Sequence, residues 1–194
     1  MATGAEKSVL VPIADGSEEM EAVIVIDVLR RAGANVTVAS AAPSLEVICS
    51  RGVKLVADRP LGDCVGDAYD LVVLPGGMPG AEHLRDSPEL TSILRDQRAA
   101  GKPYAAVCAS PAVVLQHHGL LEDVPRATCH PGFVDKISDK ADVEQRVVQQ
   151  GLVTTSRGPG TSFEFALTLV KTLFGEEKAK EVAGPMVMYQ HTLP

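Results

Sequence analysis

Short apolar runs of strand length, each stopped by turn or helix-start chemistry, most constrain what this chain can fold into. Val9-Leu10-Val11-Pro12-Ile13, Asp70-Leu71-Val72-Val73-Leu74 and Tyr104 to Val107 are such runs. Near-continuous apolar character is what strands need when both faces of a parallel sheet are covered. Helical patterns lie between them. One runs from Glu18 to Ala32, with acids in its first turn, Arg30 and Arg31 in its last, and Gly33 beyond; both charge placements suit the helix dipole. Ser17 is the predicted N-cap. A second runs from Ser87-Pro88 to Ala100 with Gly101 after it, and a third from Ser110 to His118. Asn35 to Ala41 reads as a strand. Leu45 to Cys49 and Val53 to Ala57 read as a hairpin around Ser50-Arg51-Gly52. Val147-Val148 and Leu152 to Thr155 read as late strands, followed by helices over Thr161 to Phe174 and Glu176 to Ala183. Alternation of this kind predicts an α/β fold, a doubly wound, mostly parallel sheet with helices on both faces. Its sites belong at the carboxyl ends of the strands.

The chain has 194 residues, of which 45% are hydrophobic, enough for one domain spanning 1–194 with a full core. The net charge is −7 with no basic run, which argues against a nucleic-acid partner. No apolar run approaches the roughly 20 residues of a membrane span. Cys49, Cys64, Cys108 and Cys129 form no CxxC pair and no zinc spacing. They read as free thiols in a reducing, cytoplasmic setting. No metal site is expected. The phosphate-loop pattern GxxxxGK[ST] and the dinucleotide pattern GxGxxG are both absent.

Three features converge on strand ends. Ala106-Val107-Cys108-Ala109-Ser110-Pro111 ends a buried strand in a cysteine and begins a helix at once, the logic of a nucleophile elbow. A helix N-terminus there lowers the thiol pKa and supplies N–H groups for an oxyanion. A buried, inert cysteine is the competing reading. Glu21 opens the stripe Val25, Val28, Leu29, so its carboxyl should be desolvated and its pKa raised. The competing reading makes Glu18, Glu19 and Glu21 ordinary helix-start acids. Ala22 to Leu29 is apolar nearly all round, which fits either a dimer interface or a central helix of the sheet. Gly76 and Gly77, after Leu74-Pro75, let the backbone approach a ligand and offer oxyanion N–H groups. His130, in Cys129-His130-Pro131-Gly132 at the end of a possible strand, either orients Cys108 or sits in a surface loop. His117 and His118 read as helix caps, and His83 and His191 lack evident partners.

Four blocks together carry a resemblance: Ala14-Asp15-Gly16-Ser17-Glu18-Glu19-Met20-Glu21, Val73-Leu74-Pro75-Gly76-Gly77, Ala106-Val107-Cys108-Ala109, and Thr155 to Ala166, Thr-Ser-Arg-Gly-Pro-Gly-Thr-Ser-Phe-Glu-Phe-Ala. Over about residues 7 to 188 the chain resembles the parkinsonism-associated deglycase (ThiJ) branch of the ThiJ/PfpI superfamily. The resemblance implies a flavodoxin-like homodimer without a cofactor, joined through the region of helix 18–32. It implies that Cys108 is the nucleophile, Glu21 its carboxyl partner and His130 a neighbour. It further implies a glutathione-independent glyoxalase or deglycase, which turns methylglyoxal or glyoxal, or early dicarbonyl adducts, into lactate or glycolate through a cysteine hemithioacetal. Gly76, Gly77 and Ala109 would hold the oxyanion. The alternative it implies is an oxidative-stress sensor or redox-regulated chaperone acting through Cys108. Three departures stand out. Ser110 occupies a position where animal relatives carry Gly, Val56 stands where they carry a second hairpin cysteine, and the tail after Met188 extends past their end. Ala109 argues against a PfpI-type peptidase, which places His after the nucleophile. The lack of a Gly-x-Cys-x-Gly elbow and of a late His-x-Glu argues against a glutamine amidotransferase.

Overall fold

The computed structural model describes residues 6–138 and 140–188; the tail after Met188, including His191, lies outside them. The strands are β1 (Ser8–Ile13), β2 (Asn35–Ser40), β3 (Glu46–Ile48), β4 (Lys54–Val56), β5 (Arg59–Pro60), β6 (Leu71–Leu74), β7 (Tyr104–Val107), β8 (Val147–Gln150) and β9 (Val153–Ser156). The helices are α1 (Glu19–Arg31), α2 (Gly80–Asp86), α3 (Pro88–Ala99), α4 (Ser162–Phe174) and α5 (Glu176–Ala183). Seven strands form one sheet in the order β5-β2-β1-β6-β7-β9-β8. All neighbours are parallel except β8, which runs antiparallel to β9, so the flavodoxin-like, mostly parallel α/β arrangement holds. β6 and β7 are buried along their whole length, as strands covered on both faces require. β3 and β4 form the expected hairpin, a separate antiparallel pair.

The strand order places β1, β6 and β7 side by side, so their carboxyl ends at Ile13, Leu74 and Val107 share one edge. The chain turns there into α1, α2 and the segment after Cys108. Among the described residues, no helix is long and apolar enough to cross a membrane.

The structure corrects three local expectations and adds one helix, α2. Ser17 is not the cap of α1; its Oγ accepts from the Ala14 N–H (2.9 Å), closing the turn. Glu18 caps instead, its Oε2 accepting from the Glu21 N–H (2.7 Å). The segment after Ser110 is a π-helical turn over Pro111–Gln116 rather than an α-helix. Pro111 has no N–H to give, and the Ala109 carbonyl accepts from both Ala112 and Val113, which unsettles the regular ladder. α2 begins at Gly80 after Pro79, a pair that reads as a breaker in isolation. His130 ends no strand; it opens a short 3-10 turn over Pro131–Lys136.

Candidate active site

Cys108 follows β7 directly and takes φ of 64°, the left-handed region that side-chain-bearing residues seldom occupy. Such a conformation costs about 1–3 kcal/mol and persists only where neighbours over-determine it. Two backbone bonds do so here. The Cys108 N–H donates to the Ser156 carbonyl at the end of β9 (3.0 Å), and its carbonyl accepts from the His130 N–H (2.8 Å). The elbow read from the sequence is therefore present as backbone geometry, with the cysteine 9% exposed.

Glu21 comes to this elbow from the first turn of α1 and is completely buried. Its Oε2 accepts from the Gly76 N–H at 2.7 Å. Its Oε1 is buried with no hydrogen-bond partner among the described residues. Gly76 is squeezed between the two groups: a Cβ there would lie 2.6 Å from the Cys108 Cβ, 2.9 Å from Glu21 Oε2 and 3.0 Å from the Ala109 nitrogen. No side chain fits, so the glycine is what lets thiol and carboxylate meet. Gly77 has φ of 89°, and its Cβ would lie 2.4 Å from the Glu18 nitrogen and the Gly16 oxygen. That contact seats the start of α1 on the loop after β6.

This arrangement reassigns one group. Gly76, expected as an oxyanion donor, has its N–H committed to Glu21. The N–H groups of Gly77 and Ala109 are the ones that favour negative charge on the Cys108 sulfur.

The electrostatics also differ from the elbow argument. Burial raises the Glu21 carboxyl to about 7, the Gly76 N–H and Cys108 pull it back, and the Glu18 charge adds to the rise. Burial, then the Glu21 charge and the hydrogen bond to it, pushes the Cys108 thiol up to about 12 against the pull of the Gly77 and Ala109 N–H groups. A lowered thiol was expected from the helix N-terminus. The dry setting and an adjacent carboxylate outweigh two backbone donors. The Glu21 carboxyl and the Cys108 thiol thus act on one another.

His130 is exposed, and its Nδ1 accepts from the Gly132 N–H (3.1 Å), leaving Nε2 for another partner. Across from it, a Cβ at Gly158 would stand 3.7 Å from His130 Cδ2 and 4.0 Å from Glu21 Oε1. Gly158 therefore separates the histidine from the unpartnered carboxylate oxygen. His117 is the C-cap residue of the π-helical turn, as expected, and His118 Nε2 meets the Arg85 carbonyl (2.8 Å). His83 Nδ1 meets the Asp15 carbonyl (2.8 Å). Cys49, Cys64 and Cys129 are buried free thiols. Among the described residues, no group of three or more His, Cys, Asp or Glu side chains is disposed to hold a metal ion.

Sequence reasoning missed two contributors. Gly158 enters the sequence reading only within the Thr155 to Ala166 block, with no role of its own. Ser110 was noted as an added hydroxyl, with no partner assigned. In the structure it is fully buried and donates to the Pro75 carbonyl at 2.5 Å.

A doubly wound sheet with a strained strand-end cysteine and a buried glutamate beside it defines a class of α/β protein with a cysteine elbow at the sheet edge. Residues 7–172 match the model of the DJ-1/PfpI family, and the chain belongs to that family. It is 46% identical to the Parkinson disease protein 7 homolog of Danio rerio over 188 residues, covering 95% of this chain and 98% of that protein. It is 36% identical to the glutathione-independent glyoxalase DJR-1.2 of Caenorhabditis elegans over 187 residues, covering 95% and 98%. The solved structure of oxidized Toxoplasma gondii DJ-1 superposes with a TM-score of 0.89 at 48% identity, covering 93% of this chain and 98% of that one. The chain spans less than half the length of the Arabidopsis thaliana DJ-1 homologs B and A. It is 53% and 49% identical to them over 90% of its own length, against 40% and 44% of theirs.

Proposed function

We propose that this protein is a glutathione-independent glyoxalase that converts methylglyoxal or glyoxal to lactate or glycolate. The observation that carries the reading is the buried Glu21 Oε1, a carboxylate oxygen without a partner beside the Cys108 elbow. A nucleophile and a base in reach of one another are the parts a covalent acyl or aldehyde chemistry needs. The glyoxalase named among the relatives supports the same assignment.

The steps balance without an external oxidant. The Cys108 thiol proton passes to Glu21 as sulfur adds to the aldehyde carbon, giving a hemithioacetal. The Gly77 and Ala109 N–H groups hold the oxygen as charge develops on it. Glu21 gives that proton to the hemithioacetal oxygen and, again a carboxylate, removes the proton from the former aldehyde carbon and returns it to the neighbouring carbon through an enediol, while the hydroxyl proton of the first carbon moves to the oxygen of the second. The first carbon is oxidised to a thioester while the second is reduced to an alcohol. Water cleaves the thioester, releasing the hydroxy acid and restoring the thiol. The raised thiol explains why the partner is needed: Cys108 reaches the thiolate by handing its proton to Glu21, not by losing it to solvent. A redox-sensor reading requires a thiolate at rest, which the same burial opposes. His130 lies across Gly158 from Glu21 Oε1, exposed at the surface beside the pair.

A steady-state assay with methylglyoxal and no glutathione tests the reading. The parent chain turns over and Cys108→Ala does not. Equal activity in the two would end it.

We further propose a homodimer across α1. Met20 and Val23 on α1 and Ile48 and Val53 on the hairpin are 53%, 45%, 53% and 48% exposed, an unusual apolar load for a free surface. Hydrogen bonds from Ser50 and Arg51 to Glu19 join the two elements into one face. Sedimentation equilibrium should give the mass of two chains for the parent and of one for Val23→Asp. A parent that stays at one chain at micromolar concentration refutes the dimer.

A further inference from the structure

The N–H groups of Gly77 and Ala109 both reach the Cys108 sulfur, yet they belong to different loops. Gly77 lies on the loop after β6, and Ala109 on the elbow after β7. Each loop is anchored on the side away from the other. The Gly76 N–H donates to Glu21 Oε2 (2.7 Å), the Gly76 carbonyl accepts from the Glu18 N–H (2.9 Å), and Gly77 packs on Gly16 and Glu18. These contacts tie the β6 loop to the start of α1. The elbow is tied elsewhere. The Cys108 N–H donates to the Ser156 carbonyl of β9 (3.0 Å), and the Cys108 carbonyl accepts from the His130 N–H (2.8 Å).

A hydrogen bond independent of the thiol crosses between the two loops: the Ser110 hydroxyl donates to the Pro75 carbonyl at 2.5 Å. Ser110 directly follows Ala109, and Pro75 stands two residues before Gly77, so the bond lies beside both donors. Both residues are buried. We propose that Ser110 is a positioning residue that latches the β6 loop to the elbow and so fixes the Gly77 and Ala109 N–H groups relative to one another. The inference rests on the glyoxalase reading, in which these two groups hold the oxygen of the covalent adduct.

The physical consequence is specific. Without the hydroxyl, the buried Pro75 carbonyl has lost its donor, and a carbonyl left in that state shifts to find another. Gly77 moves with it, toward its anchors on α1, while Ala109 stays with β9. The two N–H groups then no longer converge on one oxygen. Preorganised donors act where charge develops, in the transition state, and contribute little to the neutral substrate. Losing the latch therefore lowers kcat and leaves KM in place.

The test compares the parent with Ser110→Ala and Ser110→Gly in steady-state turnover of methylglyoxal and in amide hydrogen exchange followed by NMR. In both variants kcat should fall about tenfold with KM changed by less than about twofold, since displaced donors forfeit part of what removing one would cost. Exchange at Gly77 should quicken about tenfold, while the amides of the central sheet keep the parent's rates, because the opening is local. An unchanged kcat in both variants overturns the proposal, and so does a rise in KM at constant kcat. A fall in kcat with faster exchange throughout the sheet also overturns it, since Ser110 would then support only the fold. A parent that does not turn over methylglyoxal removes the glyoxalase reading, and the positioning role falls with it. A parent that turns over while both variants match it removes the latch alone.

Discussion

Glu19 and Glu21 stand two residues apart at the start of α1, and both are buried, yet their carboxyls move in opposite directions. Burial pushes Glu19 up, but its own backbone N–H, the Ser50 hydroxyl and the Arg51 N–H together outweigh it and hold the group below the usual carboxylate range. Glu21 has one backbone donor, from Gly76, and is raised to about 7. Depth and hydrogen-bond donors together decide which acid is charged: Glu21 is the more deeply buried and Glu19 has the more donors. The result divides labour along a single helical turn. Glu19 is a permanent anion that ties the β3–β4 hairpin to α1 through Ser50 (2.8 Å) and Arg51 (2.8 Å). Glu21 keeps one oxygen unpartnered and titrates near neutrality, as a group that trades protons with a neighbour must.

The largest effect that can break this contrast comes from Glu21→Gln. The amide keeps the shape and an acceptor for Gly76 but cannot carry a proton between carbons. Turnover of methylglyoxal should fall by about a hundredfold or more; a rate near that of the parent would remove Glu21 from proton transfer. Stability should move the other way. The folded Glu21 pKa of about 7 lies above its unfolded value of 4.5, so its contribution is full in acid and is lost as the pH rises through about 7. Urea unfolding should therefore find Glu21→Gln equal to the parent near about pH 4.5 and more stable by about 3 kcal/mol above pH 7. A gap of constant size across that range would show that Glu21 is not the raised group.

What the sequence disclosed about this pair was local. A buried strand running into Cys108 exposes the elbow, and a stripe at helical spacing exposes the burial of Glu21. The alternation of strands and helices placed both at the same sheet edge. What stayed hidden depends on contacts distant in the chain. Gly76 reaches Glu21 across 55 residues, and Ser110 reaches Pro75 across 35. Neither bond leaves a periodic trace. The committed N–H of Gly76 could not be told from a free one, because Gly-Gly after a strand serves either purpose. The direction of the thiol shift was misread for a related reason. A helix-dipole argument counts the donors that follow Cys108 in sequence and omits the carboxylate and the dry walls brought by α1. Likewise Ser17 suits a cap by residue type, and only the turn back to Ala14 shows that it is already engaged.

Glu19→Gln sharpens the contrast with the smaller effect. Glu19 is depressed below its unfolded value, so its contribution is present above about pH 4.5 and disappears as the pH falls through the folded pKa. The amide can keep its oxygen on the Arg51 N–H and donate its NH₂ to Ser50 Oγ, but both contacts lose the charge that the carboxylate gave them. A loss of about 2 kcal/mol at neutral pH follows from two weakened charge-assisted bonds, closing in acid. Amide exchange at Arg51 should quicken with it, because a neutral oxygen holds that N–H less tightly, whereas exchange at Gly76 should not change. The sign is opposite to that of Glu21→Gln at the same pH, two residues away and with the same change of atoms. If both amides stabilise the protein at neutral pH, donor count does not separate the two carboxyls, and burial alone governs the turn.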